Sequence, residues 1–460
     1  MGKNIEATLT GTIDVPSKIA FKLGLKNWSY EVSREETVYS FIVDQPNGLI
    51  RFPRNISKFK QACKDAGFTS IKFIDHRIES PLSSPIELDE SFSLRDYQNK
   101  TVNRMLKKLK ETTSVILKAP PSFGKSYIMP YIVKEVGEKT LILVDRTDLV
   151  SQMYGEFSKN ISKGDYKVLE KTDKELADVN ITTFQFLLKN PDVVEKLAKE
   201  IGLVVVDECH TISIGAFTKI VNNLPARLRI GLSATPTRSD GLTEALHDVM
   251  GNTVIEGENP DSLKVRYLIL KQPVYFTYTL ARTPVQAWNK FYSSPEVVEI
   301  ATKLAIKMLR AGRAPLIYST YKDAQETVQE FLKREGVSSA VINQKTKKKD
   351  REEILEKFQK REIDVLISGT ITQKGVSIHR LDTIINMANH TKESMEQLVG
   401  RLRREHPDKK SPIFIDVHFE GYAIKKGMER FDYMFDIADR HSEEVIVWSQ
   451  FKSSYFINGE

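Results

Sequence analysis

The chain has 460 residues, of which 40% are hydrophobic and 28% charged, with a formal net charge of +7. That length and balance suit about three globular domains and exclude a disordered or low-complexity chain. Cys63 and Cys209 stand far apart without metal-ligand spacing, which argues against a disulfide framework or a zinc site. No apolar run reaches the roughly 18 residues of a membrane span, and the N-terminus lacks the apolar stretch of a secretory signal. The cytoplasm is the expected location. The positive charge suggests a polyanionic partner without proving one.

Residues 1–88 read as a small α+β module. Strands are predicted at Val38–Val43, Gly48–Phe52 and Ser70–Ile74, and Ile56, Phe59 and Cys63 recur at helical spacing between them. Arg51, Arg54, Lys58, Lys60 and Lys64 make this module basic; they are either solvent-facing or DNA-contacting, and DNA contact is the expectation here. Glu79 to Ser93 has prolines, serines and acids without periodicity, as a linker would.

From 89 to 256 short apolar strands alternate with helices: Ser114–Lys118, Thr140–Val144, Val179–Thr182, Gly202–Val206 and Leu228–Leu232. Such alternation predicts a parallel sheet covered on both faces. Ala119-Pro120-Pro121-Ser122-Phe123-Gly124-Lys125-Ser126 follows the first strand, with a helix expected from Lys125. In that context it reads as a phosphate-binding loop, although Ala119 stands where the usual pattern has glycine. Lys125 would reach the β/γ-phosphates and the Ser126 hydroxyl would hold Mg²⁺. The strand ending at Val206 delivers Asp207 to the same metal, with Glu208 beside it to polarise water. These residues imply binding and hydrolysis of a nucleoside triphosphate.

Residues 257–294 are expected to connect two units, their aromatics Tyr275, Phe276, Tyr278, Trp288 and Phe291 serving packing or base stacking. The strand rhythm restarts over 295–460, at Pro315–Tyr318, Ser339–Ile342, Asp364–Ile367, Thr383–Asn386 and Pro412–Asp416. This unit has no phosphate loop of its own. A helix predicted over Glu393–Arg404 presents Arg401 and Arg404 three residues apart, on nearby faces. Arginines from a facing domain can stabilise charge on a transferring phosphoryl group.

Over roughly residues 94–417 the chain resembles superfamily 2 helicases and translocases. Leu94-Arg95-Asp96-Tyr97-Gln98 looks like the adenine-reading motif, Ala119–Ser126 like motif I, and Asp207-Glu208-Cys209-His210 like motif II. Ser233-Ala234-Thr235 looks like motif III, and Gln397–Arg404 like motif VI. The resemblance implies two tandem RecA-like domains, ATP and Mg²⁺ as cofactors, and DNA as partner. It casts Arg95 and Gln98 as adenine contacts and Gln397, Arg401 and Arg404 as γ-phosphate sensors. His210, Ser233 and Thr235 would couple nucleotide state to nucleic-acid grip, although His210 equally reads as a satisfied buried histidine. Arg146, Thr183, Gln185, Ser319, Thr320 and Thr370 fall at strand-gripping motifs. In motif V, Gly375 would contact nucleotide, and Ser377 departs from the usual acid or amide. Within the superfamily the chain looks most like phage UvsW-type branch-migration helicases, with RecG similar in function. That implies a monomer acting on forks and four-way junctions, alongside recombination or replication proteins. An RNA helicase, a duplex translocase of a restriction-type complex, and an ATP-gated clamp with little turnover are the alternatives.

Overall fold

The computed structural model describes residues 3–31, 37–173, 175–236, 240–273, 283–369, 378, 380–404, 406, 409–420 and 424–448. The chain divides into two compact units, Met1–Pro260 and Asp261–Glu460.

The first unit begins with a five-stranded mixed sheet in the order Ile42–Asp44, Leu49–Pro53, Thr12–Pro16, Lys3–Leu9, Phe68–Asp75. Lys3–Leu9 and Phe68–Asp75 run parallel and the other neighbours antiparallel. The helix Ile56–Asp65 starts where the Asn55 side chain accepts a hydrogen bond from Lys58 N, which satisfies one of the first-turn amides. Phe59 and Cys63 on its predicted stripe are fully buried, packed with Trp28 and Phe52. The strands Lys3–Leu9 and Thr12–Pro16 lie outside the sequence prediction.

The expected linker is a strap held along the next domain. Leu82 N donates to Gly137 O, Ser83 N and Ser84 N donate to the Asp178 carboxylate, and Glu87–Leu88 pairs with Ile161–Lys163. Backbone bonds of this kind leave no hydrophobic period, so the sequence reads as linker although the chain is fixed.

The second part of this unit is a seven-stranded, all-parallel sheet. Its order is Tyr166–Val168, Val179–Thr183, Thr140–Val144, Leu203–Val206, Leu228–Ser233, Ser114–Lys118, Val254–Glu256. Central strands such as Leu203–Val206 and Thr140–Val144 are buried at every residue, because helices cover both faces and leave no polar side. The five predicted strands are present, and two edge strands join them.

The unit Asp261–Glu460 carries a second seven-stranded parallel sheet. Its order is Ser339–Ile342, Val365–Ser368, Pro315–Tyr318, Thr383–Asn386, Ile413–Glu420, Arg266–Pro273, Val445–Trp448. Arg266–Pro273 lies inside the segment expected to be a connector, and Val445–Trp448 lies near the C-terminus. The domain therefore starts at Asp261 rather than 295. Trp288, Phe291 and Tyr292 sit on the helix Pro284–Tyr292 and pack into this domain's core. Tyr275, Phe276 and Tyr278 lie outside the described residues. The fold is α/β, with two parallel-sheet domains of RecA-like layout and a small mixed-sheet module ahead of them.

Candidate nucleotide site and motor motifs

In the first sheet, Ala119, Asp207 and Thr235 follow the carboxyl ends of strands that share a ladder. Ala119 N donates to Ser233 O at 2.9 Å, and Asp207 N donates to Leu143 O at 2.9 Å. The rim at the carboxyl ends of parallel strands is where such sheets bind ligands.

Gly124 has a φ of 83°, a left-handed backbone that favours glycine. A Cβ there would also meet Gln98 Nε2 at 2.8 Å. Ala119 is buried, and the Phe123 ring is in the core edge-on to Tyr97. Pro121 and Ser122 form a short 3-10 turn with Phe123. The Lys125 ammonium donates to the carbonyls of Ala119 at 2.9 Å and Pro120 at 3.4 Å. The regular helix starts at Met129, not at Lys125 as expected. Pro130 is the cause: it has no N–H for the Ser126 carbonyl, so it is tolerated only in a first turn.

Gln98 is placed otherwise than the resemblance implies. Only 4% exposed, it donates from Nε2 to Phe123 O at 2.7 Å and accepts at Oε1 from Arg95 N at 3.0 Å. It thus braces the phosphate loop against the helix Asp96–Thr112, which Arg95 precedes as N-cap.

Asp207 and Glu208 are both buried. Glu208 adopts φ 48°, uncommon for a residue with a side chain. Its carbonyl accepts from Thr211 N and Thr211 Oγ1, both at 2.9 Å, closing the turn Cys209–Thr211. Cys209 packs under Gly231, whose added Cβ would lie 3.1 Å from the thiol sulphur. His210 Nδ1 lies 2.7 Å from Ser233 Oγ and 3.5 Å from a Glu208 carboxylate oxygen. Ser233 Oγ in turn accepts from Thr235 N at 3.0 Å. Motifs II and III are therefore physically joined, and His210 is both buried and hydrogen-bonded.

Among the strand-gripping positions, Arg146 precedes the helix Thr147–Asn160 and pairs with Asp148 at 2.9 Å. Gln185 and Thr320 are exposed. Thr183 is buried and caps the helix Phe184–Lys189 by accepting from Phe186 N at 3.1 Å. Ser319 is fully buried and accepts from Tyr321 N. Thr370, Gly375 and Ser377 lie outside the described residues.

Motif VI occupies the helix Lys392–Leu402, whose N-cap Thr391 accepts from Ser394 N. The helix stops two residues before Arg404. Gln397 is half-buried, Arg401 is 7% exposed, and burial lowers the pKa of half-buried Arg404. Arg403 is a core residue: 2% exposed, it pairs with Glu443 at 2.6 Å and donates to Tyr267 OH at 3.1 Å. Above that helix, His390 Nε2 lies 2.8 Å from Asn386 Oδ1. Asn386 Nδ2 donates to Asp416, which also accepts from Arg430 Nε at 3.0 Å.

The basic residues of the N-terminal module correct an expectation. Arg54 is 2% exposed and donates to the Ala226 carbonyl of the neighbouring domain. Lys58 pairs with Asp248 at 2.9 Å, and Tyr30 and Ser40 also donate to Asp248. Arg51 pairs with Asp44 at 2.7 Å. Lys58 is thus held in the junction instead of lying open to a phosphate backbone, and Arg54 also joins the module to the sheet domain. Asp248 went unnoticed in the sequence; its signal was an acid set between Ala245, Leu246, Val249 and Met250 on a helix.

The family model described as "Type III restriction enzyme, res subunit" matches residues 91–238. That of "Helicase conserved C-terminal domain" matches residues 296–406. A relative in Escherichia phage T5, "Probable helicase D10", is 27% identical over 366 residues, covering 78% of this chain and 77% of its own. "DNA 3'-5' translocase XPB2" of Sulfurisphaera tokodaii is 23% identical over 392 residues, covering 76% and 87%. The crystal structure of T4 UvsW aligns at a TM-score of 0.43 with 17% identity, over 96% of this chain and 98% of that one. With both family models matched in order, motifs I to III at the strand ends of the first parallel-sheet domain and motif VI on a helix of the second, the chain belongs to the superfamily 2 helicases, enzymes that use ATP to unwind nucleic acid.

Proposed function

We propose that this helicase acts on DNA, and on branched DNA in particular, driving branch migration at forks and four-way junctions. The observation that carries the reading is the buried union of the N-terminal module with the first motor domain through Arg54, Lys58 and Asp248. A module held at a constant offset from a motor suits engagement of one DNA arm while the motor pulls on another. The DNA translocase named among the relatives supports DNA over RNA.

The chain's residues divide the ATP chemistry. Lys125 contacts the β/γ-phosphates, the Gly124 backbone lets the loop approach them, and Glu208 orients the attacking water. Ser126 and Asp207 supply hard oxygen ligands, the donor type that Mg²⁺ takes, and the ion would neutralise phosphate charge there. Gln397, Arg401 and Arg404 of motif VI are the γ-phosphate sensors in this reading. The His210–Ser233–Thr235 chain couples nucleotide state to nucleic-acid grip, for which Arg146, Thr183, Gln185, Ser319, Thr320 and Thr370 are the strand-gripping positions. Arg95 and Gln98 set the loop's position, and Gly375 serves the same nucleotide. The protein works as a monomer, beside recombination or replication proteins.

The test is an unwinding panel of labelled forks, four-way junctions, D-loops, tailed duplexes and RNA duplexes. Branched DNA should be processed at least about tenfold faster than tailed duplex. Equal rates would reduce the protein to a general DNA helicase, and activity on RNA alone would sink the DNA assignment. Lys125→Ala should remove DNA-stimulated ATP hydrolysis while DNA binding survives.

The name of the Sulfurisphaera relative favours one second reading, translocation along duplex DNA without strand separation. Triplex displacement without unwinding of the panel substrates would select it.

A further inference from the structure

A cavity of about 420 Å³ opens at the seam between the N-terminal module and the first sheet domain. Arg54, Lys60 and Arg77 line it, against a single lining carboxylate, Glu111. Arg54 forms its buried wall: 2% exposed, its Nε has no hydrogen-bond partner, while NH1 reaches Ala226 O and NH2 lies 3.5 Å from Ser114 Oγ. Arg77 is held by Asp75 and donates from NH1 to Thr113 Oγ1 at 3.0 Å. Lys60 sits at the exposed rim, and Glu111 is drawn outward to Lys108 at 2.6 Å.

Two further features favour an anion. Ile56 and Ser57, the first residues of the ten-residue helix Ile56–Asp65, also line the cavity. The amino end of a helix carries partial positive charge and free amides. Burial first, then the nearby charges of Arg229 and Arg77, hold the Arg54 pKa well below its usual value. Asp75 offsets Arg77, but Arg54 and Arg229 hydrogen-bond only neutral oxygens, so the cluster keeps a positive charge that an anion would offset.

We infer that this seam cavity is a phosphate-binding site, distinct from the nucleotide site. Ser114 lines it, whereas the phosphate loop begins beyond Lys118 at the other end of the same strand, roughly 15 Å away at about 3.3 Å per residue. The phosphate is either free or part of a nucleic-acid backbone. The second source rests on the helicase assignment and not on the branched-DNA reading, since a plain duplex would serve. In that case the module contributes to DNA grip through this seam, while Arg54 and Lys58 still join the domains.

The experiment takes the full chain with two rim variants, Lys60→Glu and Glu111→Lys. Inorganic phosphate binding is read by calorimetry, and binding of a labelled blunt duplex by anisotropy across a salt series. Lys60→Glu should weaken binding several-fold, and Glu111→Lys should strengthen it. If the phosphate belongs to a backbone, the duplex follows the same order and Lys60→Glu lowers the salt slope by about 0.9. A response to inorganic phosphate alone assigns the site to free phosphate. If neither variant changes either binding curve, the site does not exist. ATP hydrolysis without DNA should stay at the parental level in both, which separates loss of the site from loss of fold or of the motor.

Discussion

His390 is buried, with its ring nitrogens against Asn386 and Ser394. Burial, with Arg430 adding to it, lowers its pKa from 6.5 to about 3, so it is neutral in the fold. An unfolded chain takes up this proton below about pH 6.5, while the folded one resists until about pH 3. Folding stability therefore falls as pH drops through that window, by roughly 1.4 kcal/mol per pH unit for this group. His441, lowered by burial to about 4, adds in the same direction. Melting temperatures between pH 7 and 5 should show the fall, and His390→Asn should flatten it; an unchanged slope in that variant would assign the effect elsewhere. At this scale the sequence was a good guide to the nucleotide motifs and a poor one to polar residues. Thr183 and Gln98 were legible as motif members, but their caps and backbone partners depend on chain neighbours that pattern alone does not supply.

At the scale of elements, the junction between the helix Thr243–Met250 and the N-terminal module turns on one buried acid. Burial raises the pKa of Asp248, and Lys58 opposes that rise. Asp248→Ala would leave Lys58 without its carboxylate, with only the Tyr30 oxygen as acceptor, and the Tyr30 hydroxyl without the acceptor it now uses, a loss of about 3–5 kcal/mol for a broken buried pair. Limited proteolysis should then cut the strap 79–93 in the variant well before the parent, and the urea midpoint should fall. Wild-type protease resistance would show that the module docks by its apolar contacts alone. Five strands of each seven-stranded sheet were readable because a doubly covered strand is a short apolar run; Tyr166–Val168, Val254–Glu256, Arg266–Pro273 and Val445–Trp448 were not predicted. The strap and the late start of the helix at Met129 were not: the first is held by backbone bonds, the second follows from a single proline.

For the whole molecule, the C-terminal segment is part of the second sheet domain. The helix Ile424–His441 packs Phe431, Met434 and Ile437 into its core, and Val445–Trp448 pairs with Arg266–Pro273. Arg440 pairs with Glu396 at 3.0 Å and Glu443 with Arg403, tying the segment to the motif VI helix. Ending the chain before Ile424 would strip apolar cover from the sheet and leave Arg403 a buried, unpaired cation. Such a truncation should be insoluble or lose its cooperative melting transition, and ATP hydrolysis with it; a soluble, active product would refute the assignment. Among the described residues, no helix is long and apolar enough to cross a membrane.

Local order along the chain determined the nucleotide chemistry and the two-sheet plan. A phosphate loop, its acidic partner and a strand rhythm are short-range patterns, each written within a few residues. Tertiary structure alone decided what the basic N-terminal module does with its charges. Whether Arg54 and Lys58 face solvent or a partner domain depends on Ala226 and Asp248, far along the chain, and charge patterning carries no record of such contacts. The same long-range packing made Arg403 a core residue, because Glu443 and Tyr267, far along the chain, hold its guanidinium.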